Sequence, residues 1–301
     1  ALALLFATCV AEATSLRVLF IGNSYTRVND LPAIFKEIAA SAGNNAPAIE
    51  AATPGGKTLE QHSKLPATLA KIDKGNWDVV VVQGQSLEAA ISEVDNNVRT
   101  QFLGGAQALF ARIKASSPKA RIVLYETWAR HADCWKDGKA QPGIGSDPAE
   151  MQARIRKWYQ HAAAQTEGCV VAPVGDAWEL NYQNSAAVRL HVKDNSHPAF
   201  NGSYLAALVI YATIYQPATL NVRYAGSLEA EESAYLRQLA AQAVGQIGKG
   251  RGEKRKLEKR KAETGLQDYR PLTTGRGREC RRQKDECRSP KSEVRSLESK
   301  V

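Results

Sequence analysis

Apolar residues fall in five short, nearly unbroken runs, at residues 17–22, 48–53, 77–83, 121–127 and 168–174, all rich in Val, Ile and Leu. Runs of this length without polar alternation are expected of strands buried on both faces, as in a parallel sheet covered by helices. The longer segments between them, 31–42, 58–73, 96–115 and 148–166, read as helices, and two more follow at 201–215 and 227–247. The first of these has Asp30 as N-cap, Pro32 in its first turn and Gly43 as its stop. This alternation predicts an α/β fold, a three-layer αβα sandwich around a five-stranded parallel sheet with right-handed crossovers. Ligands in such sheets bind at the carboxyl ends of the strands. The residues just after each run are therefore where chemistry is to be sought.

The two ends depart from this pattern. Residues 1–13 read Ala-Leu-Ala-Leu-Leu-Phe-Ala-Thr-Cys-Val-Ala-Glu-Ala, an apolar stretch ending in a small-x-small tripeptide. That is the form of a secretory signal, and it predicts a secreted or periplasmic protein. The run is about half the roughly 20 residues a membrane-spanning helix needs, and no other segment qualifies. Residues 248–301 are basic and poor in large apolar side chains. A segment of that kind buries too little apolar surface to offset its ordering entropy, so it is expected to be a disordered tail. Of the 40 Lys and Arg, 18 lie from Lys249 onward with 9 of the 31 Asp and Glu, so the chain before them carries no net charge. The formal charge of +9 belongs to the tail, and nucleic-acid binding is not expected of the main domain, residues 14–247.

Two motifs carry the chemistry. The first run ends in Gly22-Asn23-Ser24-Tyr25, a tight turn able to lift a hydroxyl out of a sheet. Near the end of the main domain stands Asp194-Asn195-Ser196-His197-Pro198. Its spacing lets Asp194 orient one ring nitrogen of His197 while the other faces a nucleophile. Ser24, His197 and Asp194 thus supply a nucleophile, a base and an orienting group for acyl transfer. His191 is a nearby competitor without a carboxylate at the matching spacing. No dinucleotide-binding or P-loop glycine pattern occurs, His62, His131 and His161 lack metal-ligand spacing, and no cofactor or metal is expected.

From about Arg17 to about Gly245 the chain resembles the SGNH (GDSL-like) hydrolase superfamily, in both end motifs and in the order of elements between them. The resemblance implies a flavodoxin-like sheet and a serine esterase, and it implies an oxyanion hole built from three donors. These are the Ser24 N–H, the N–H of Gly56 (or its neighbour Gly55) after the second strand, and a side-chain amide after the third. The third strand ends in Gln83-Gly84-Gln85-Ser86 where the family commonly has Gly-x-Asn-Asp. That register puts Gln85 at the amide position and leaves Gln83 as the alternative.

Several further expectations follow. Trp128 and Trp178, after the fourth and fifth strands, are expected on the rim of the site, with Asn23, as substrate-binding residues. Rim tryptophans, export and the family analogy point to acetyl or other small acyl esters, on carbohydrates. A catalytically silent carbohydrate-binding protein on the same fold and a lipolytic esterase are the alternatives. Cys134 and Cys169 either form a disulfide or are two small buried hydrophobes, and the oligomeric state is open.

Overall fold

A computed structural model describes residues 15–138 and 142–245. The expected leader and tail lie outside these residues. The sheet holds β1 (Arg17–Ile21), β2 (Ala48–Ala52), β3 (Val79–Val82), β4 (Arg121–Tyr125) and β5 (Val170–Ala172), all parallel, in the order β2-β1-β3-β4-β5. β1, β3 and β4 are nearly continuous in apolar residues because both of their faces are covered, whereas the edge strand β2 is only partly buried and carries Glu50. Val18, Phe20, Val79, Val81, Val123 and Tyr125 face one core, and Leu19, Ile21, Val80, Val82, Ile122 and Leu124 face the other.

The helices are α1 (Ser24–Arg27), α2 (Leu31–Ser41), α3 (Leu59–Lys64), α4 (Pro66–Asp73), α5 (Glu88–Ile91), α6 (Asn96–Ser116), α7 (Pro148–Ala164), α8 (Val174–Gln183), α9 (Phe200–Tyr215) and α10, residues 230–245. Side chains of α2, α8, α9 and α10 fill the first core, and those of α3, α4, α6 and α7 the second. The three-layer sandwich is therefore present. The helix expected over 58–73 is two, because Pro66 lacks the N–H that would continue the ladder and starts a new helix instead. α9 is buried on all sides, as its almost wholly apolar sequence demands. No disulfide joins Cys134 to Cys169. Among the described residues no helix is long and apolar enough to cross a membrane.

The strand order places a topological switch between β1 and β3, where the chain's crossovers leave in opposite directions. A crevice opens at the carboxyl edge at such a point. Ser24 follows β1 there, and the turn Gln83-Gly84-Gln85-Ser86 follows β3 beside it.

Candidate active site

The turn that carries Ser24 is held from every side. Asn23 caps α1, with its Oδ1 accepting from Tyr25 N–H (3.1 Å) and its carbonyl accepting from the N–H groups of Thr26 and Arg27. The Ser24 N–H takes no part in these bonds. The Asn23 Nδ2 donates to the carbonyls of Lys57 (3.2 Å) and Gly84 (3.3 Å), so one side chain ties the turns after β1, β2 and β3 together. Gln83 Oε1 accepts from Asn23 N–H (3.0 Å) and from Thr26 Oγ1 (2.9 Å). Gly22 must be glycine for this grip to form. A Cβ there would stand 2.4 Å from Thr26 Oγ1 and 2.7 Å from Gln83 Oε1. Beneath the turn, buried His62 bonds the Gly22 carbonyl through Nε2 (2.9 Å), so its Nδ1 accepts from Thr68 Oγ1 (2.8 Å). Burial pushes the His62 pKa down, consistent with this neutral tautomer.

Asp194 and His197 sit on a hairpin loop closed by the bridge between His191 and Pro198. Asn195 takes φ +61°, a left-handed conformation that Asn tolerates well and that reverses the chain between the two. His197 Nδ1 lies 2.6 Å from Asp194 Oδ2 and His197 Nε2 lies 2.9 Å from Ser24 Oγ. An ionised carboxylate only accepts, so the ring proton is on Nδ1 and Nε2 is left to accept from the serine hydroxyl. Partial burial alone would raise the Asp194 pKa. Bonds from the His197 ring and from the N–H groups of His197 and Ser196 outweigh it and hold the carboxyl below its ordinary range.

The loop is braced by its neighbours. Trp128 Nε1 donates to the Ser196 carbonyl (3.0 Å), Asn29 Nδ2 to the Pro198 carbonyl (3.2 Å) and His131 N–H to the Asn195 carbonyl (3.1 Å). Asn29 has φ +58° and Asp30 φ +52°, two consecutive left-handed residues that turn the chain from α1 into α2. Neither the Asn29 brace nor the Gln83 grip was evident from the sequence. Both depend on which strands are neighbours, and no local pattern reports that.

Three expectations are corrected. Trp128 and Trp178 are each 1 % exposed and stack on one another with centroids 3.9 Å apart. Trp128 also stacks on Tyr25 at 4.4 Å. The two indoles form an internal column beneath the nucleophile turn and not an exposed rim, and only Trp178 borders a cavity. Asn23 is 2 % exposed and spends its side chain on the three turns, so it is a brace and not a substrate contact. Gln83 is fully buried with its oxygen gripping the β1 turn and its Nε2 bonded to the Gly84 carbonyl, so it is not available as a donor.

Gln85 and Gly56 remain available. Gln85 Oε1 accepts from Leu87 N–H (2.7 Å), which orients the amide and leaves its Nε2 outside that bond. The Gln85 N–H donates to buried Glu88 Oε2 (2.7 Å). Burial raises the Glu88 pKa to about 7. Gly56 is exposed, with φ +69° and nothing within 4 Å of the place a Cβ would take, so the backbone there is open to a ligand. His191 is buried, bonded to Tyr182 Oη (2.7 Å) and the Ala129 carbonyl (3.1 Å), and burial drives its pKa down to about 3. It is a neutral structural histidine away from the hydroxyl of Ser24.

Comparison with solved structures places the fold. A protein of Slackia heliotrinireducens assigned to the SGNH hydrolases is 29% identical, with a TM-score of 0.54 over 67% of this chain and 100% of its own. The fold is that of the SGNH hydrolases. A DUF4886 family protein from Bacteroides uniformis is 16% identical with a TM-score of 0.60, over 77% of this chain and 95% of its own. A lipase/acylhydrolase from Enterococcus faecalis is 17% identical with a TM-score of 0.50, over 67% and 96%. No family model and no curated protein matches this SGNH-fold chain.

Proposed function

We propose that this chain is a serine ester hydrolase working through an acyl-enzyme. Ser24 Oγ attacks the ester carbonyl as its proton passes to His197 Nε2. The alcohol leaves with that proton. Water then attacks the acyl-serine with His197 again as base. Asp194 keeps the ring in the tautomer that accepts from serine and stabilises the imidazolium that forms. The Ser24 N–H, the Gly56 N–H and the Gln85 amide are the donors for the oxyanion. The observation that carries this reading is the unbroken line from Asp194 through His197 to Ser24, at 2.6 and 2.9 Å. The leader of residues 1–13 supports export of the enzyme. With both tryptophans buried, the carbohydrate alcohol has lost its residue-level support, and the proposal is ester hydrolysis with a small acyl group.

The test is hydrolysis of 4-nitrophenyl acetate by the native chain and by Ser24→Ala and His197→Ala. Each variant should lose roughly 10⁴-fold or more in kcat with the circular-dichroism spectrum unchanged, since the members act as a unit. Turnover near the native rate in Ser24→Ala would end the assignment.

A further inference from the structure

Arg130 follows β4, and its guanidinium reaches back over β3 to the turn after β1. Its Nη1 donates to Tyr25 Oη (3.0 Å) and its Nη2 to Ser86 Oγ (3.2 Å). The Tyr25 hydroxyl thus accepts from Arg130 and also shares a hydrogen bond with Ser196 Oγ (2.9 Å). Tyr25 is the residue after Ser24, Ser86 the residue after Gln85, and Ser196 the residue before His197. One cation therefore touches a neighbour of the nucleophile, a neighbour of the oxyanion turn and, through Tyr25, a neighbour of the base.

Among the described residues no carboxylate answers this charge. Arg130 belongs to no ion pair there, whereas Arg154 and Arg189 each have one and Arg156 has two. Asp194 also acts on Tyr25, but its oxygens are taken by the His197 ring and two backbone N–H groups. A half-buried guanidinium held only by neutral hydroxyls keeps donors free in a fork that suits a carboxylate.

The same residue lines a cavity of about 330 Å³ whose walls include Ala129, Ala132, Pro148 and Ala149. Four of the cavity's polar side chains are already engaged, while the buried indole N–H of Trp178, which also lines it, has no hydrogen-bond partner. Gln152 is bonded to Glu126 and to Ala129 N–H, Tyr182 to His191, and Glu179 to Arg156. Asp147 caps α7. The cavity therefore offers mainly apolar surface, and Arg130, bonded to the residue after Ser24, is the cation in its wall.

We infer that Arg130 selects esters whose alcohol part carries a carboxylate on an apolar body. This rests on the serine-esterase reading and narrows its substrate class.

The experiment compares 3- and 4-acetoxybenzoate with the matching acetoxybenzamides, near-isosteric partners in which a neutral amide replaces the carboxylate. The native chain should favour at least one carboxylate over its amide by roughly tenfold or more in kcat/KM, the scale of one hydrogen bond to a charged group. Arg130→Gln should bring that ratio close to one through KM, and Arg130→Lys should keep part of it, because charge survives while the fork is lost. A ratio near one in the native chain, or an equal loss on acid and amide in Arg130→Gln, would overturn the proposal and leave Arg130 a structural brace. Calorimetric binding of 3-hydroxybenzoate against 3-hydroxybenzamide is read in parallel and needs no turnover. If neither ester is cleaved, this binding ratio, in native chain and Arg130→Gln, alone decides the anion site, and the esterase reading fails only if 4-nitrophenyl acetate is not turned over either.

Discussion

In the proposed mechanism the turns after β1 and β2 supply the nucleophile and one oxyanion donor, yet they are built in opposite ways. The β1 turn is buried and gripped by Gln83, His62 and its own Asn23. The β2 turn at Gly55 and Gly56 is exposed, and the Gly56 backbone lies open to solvent. A nucleophile must be fixed relative to its base to within a few tenths of an ångström, so its hydroxyl is carried on an over-determined turn. An N–H donor needs only an unobstructed backbone, so glycine is enough. Fixed nucleophile and open donor divide the work of one reaction between neighbouring strand ends.

The sharpest way to break this contrast is at the two glutamines. Gln83→Ala leaves the Asn23 N–H and the Thr26 hydroxyl without their buried acceptor. It should cost about 1–3 kcal/mol of stability as well as turnover. Gln85→Ala removes a donor that matters in the transition state. It should lower kcat by roughly 10²-fold with Tm and KM nearly unchanged. Thermal melts and steady-state kinetics on both variants separate the roles. Full stability in Gln83→Ala would mean that the grip on the β1 turn is dispensable.

A smaller effect is expected at Glu88, beneath the Gln85 turn. Its carboxyl has a folded pKa of about 7 against an ordinary 4.5, chiefly through burial. The folded chain thus binds this proton more tightly than the unfolded chain, and stability from this group is present at low pH and declines between about 4.5 and 7. Glu88→Gln should therefore be more stable than the native chain at pH 8, by about 1–3 kcal/mol, with the difference vanishing near pH 4. Urea denaturation at the two pH values checks the sign. The smallest effect is at Gly56→Ala, where the left-handed φ costs about 1–2 kcal/mol and the N–H itself is kept. Activity should fall modestly, by less than in Gln85→Ala.

Much of this was legible in the sequence, for identifiable reasons. The five apolar runs gave the strands, because burial on both faces leaves a continuous apolar signature. Ser24, Asp194 and His197 were legible because their motifs are local: a strand-end turn, and a carboxylate three residues from its histidine. The tryptophans were misplaced because a strand-end position fits either a rim or a core residue. Only the parallel stack of Tyr25, Trp128 and Trp178, from three separate segments, decides between them. α8 went unread because Pro173 and Val174 extended the fifth run, whereas the helix begins at Val174. Gln83 was legible only as an alternative donor, because its partners, the Asn23 N–H and the Thr26 hydroxyl, follow β1 and depend on strand order. Arg130 stood out in no local pattern, since its meaning lies in the absence of a carboxylate that only the assembled fold could have supplied.

The central claim is that Ser24 is made nucleophilic by His197. The most direct measurement is covalent labelling with a fluorophosphonate, read by mass spectrometry of the peptide bearing the adduct. The account predicts one adduct, on Ser24, formed in the native chain and slowed by orders of magnitude in His197→Ala while His191→Ala still labels. An adduct on another serine, or equal labelling of Ser24 without His197, would contradict it.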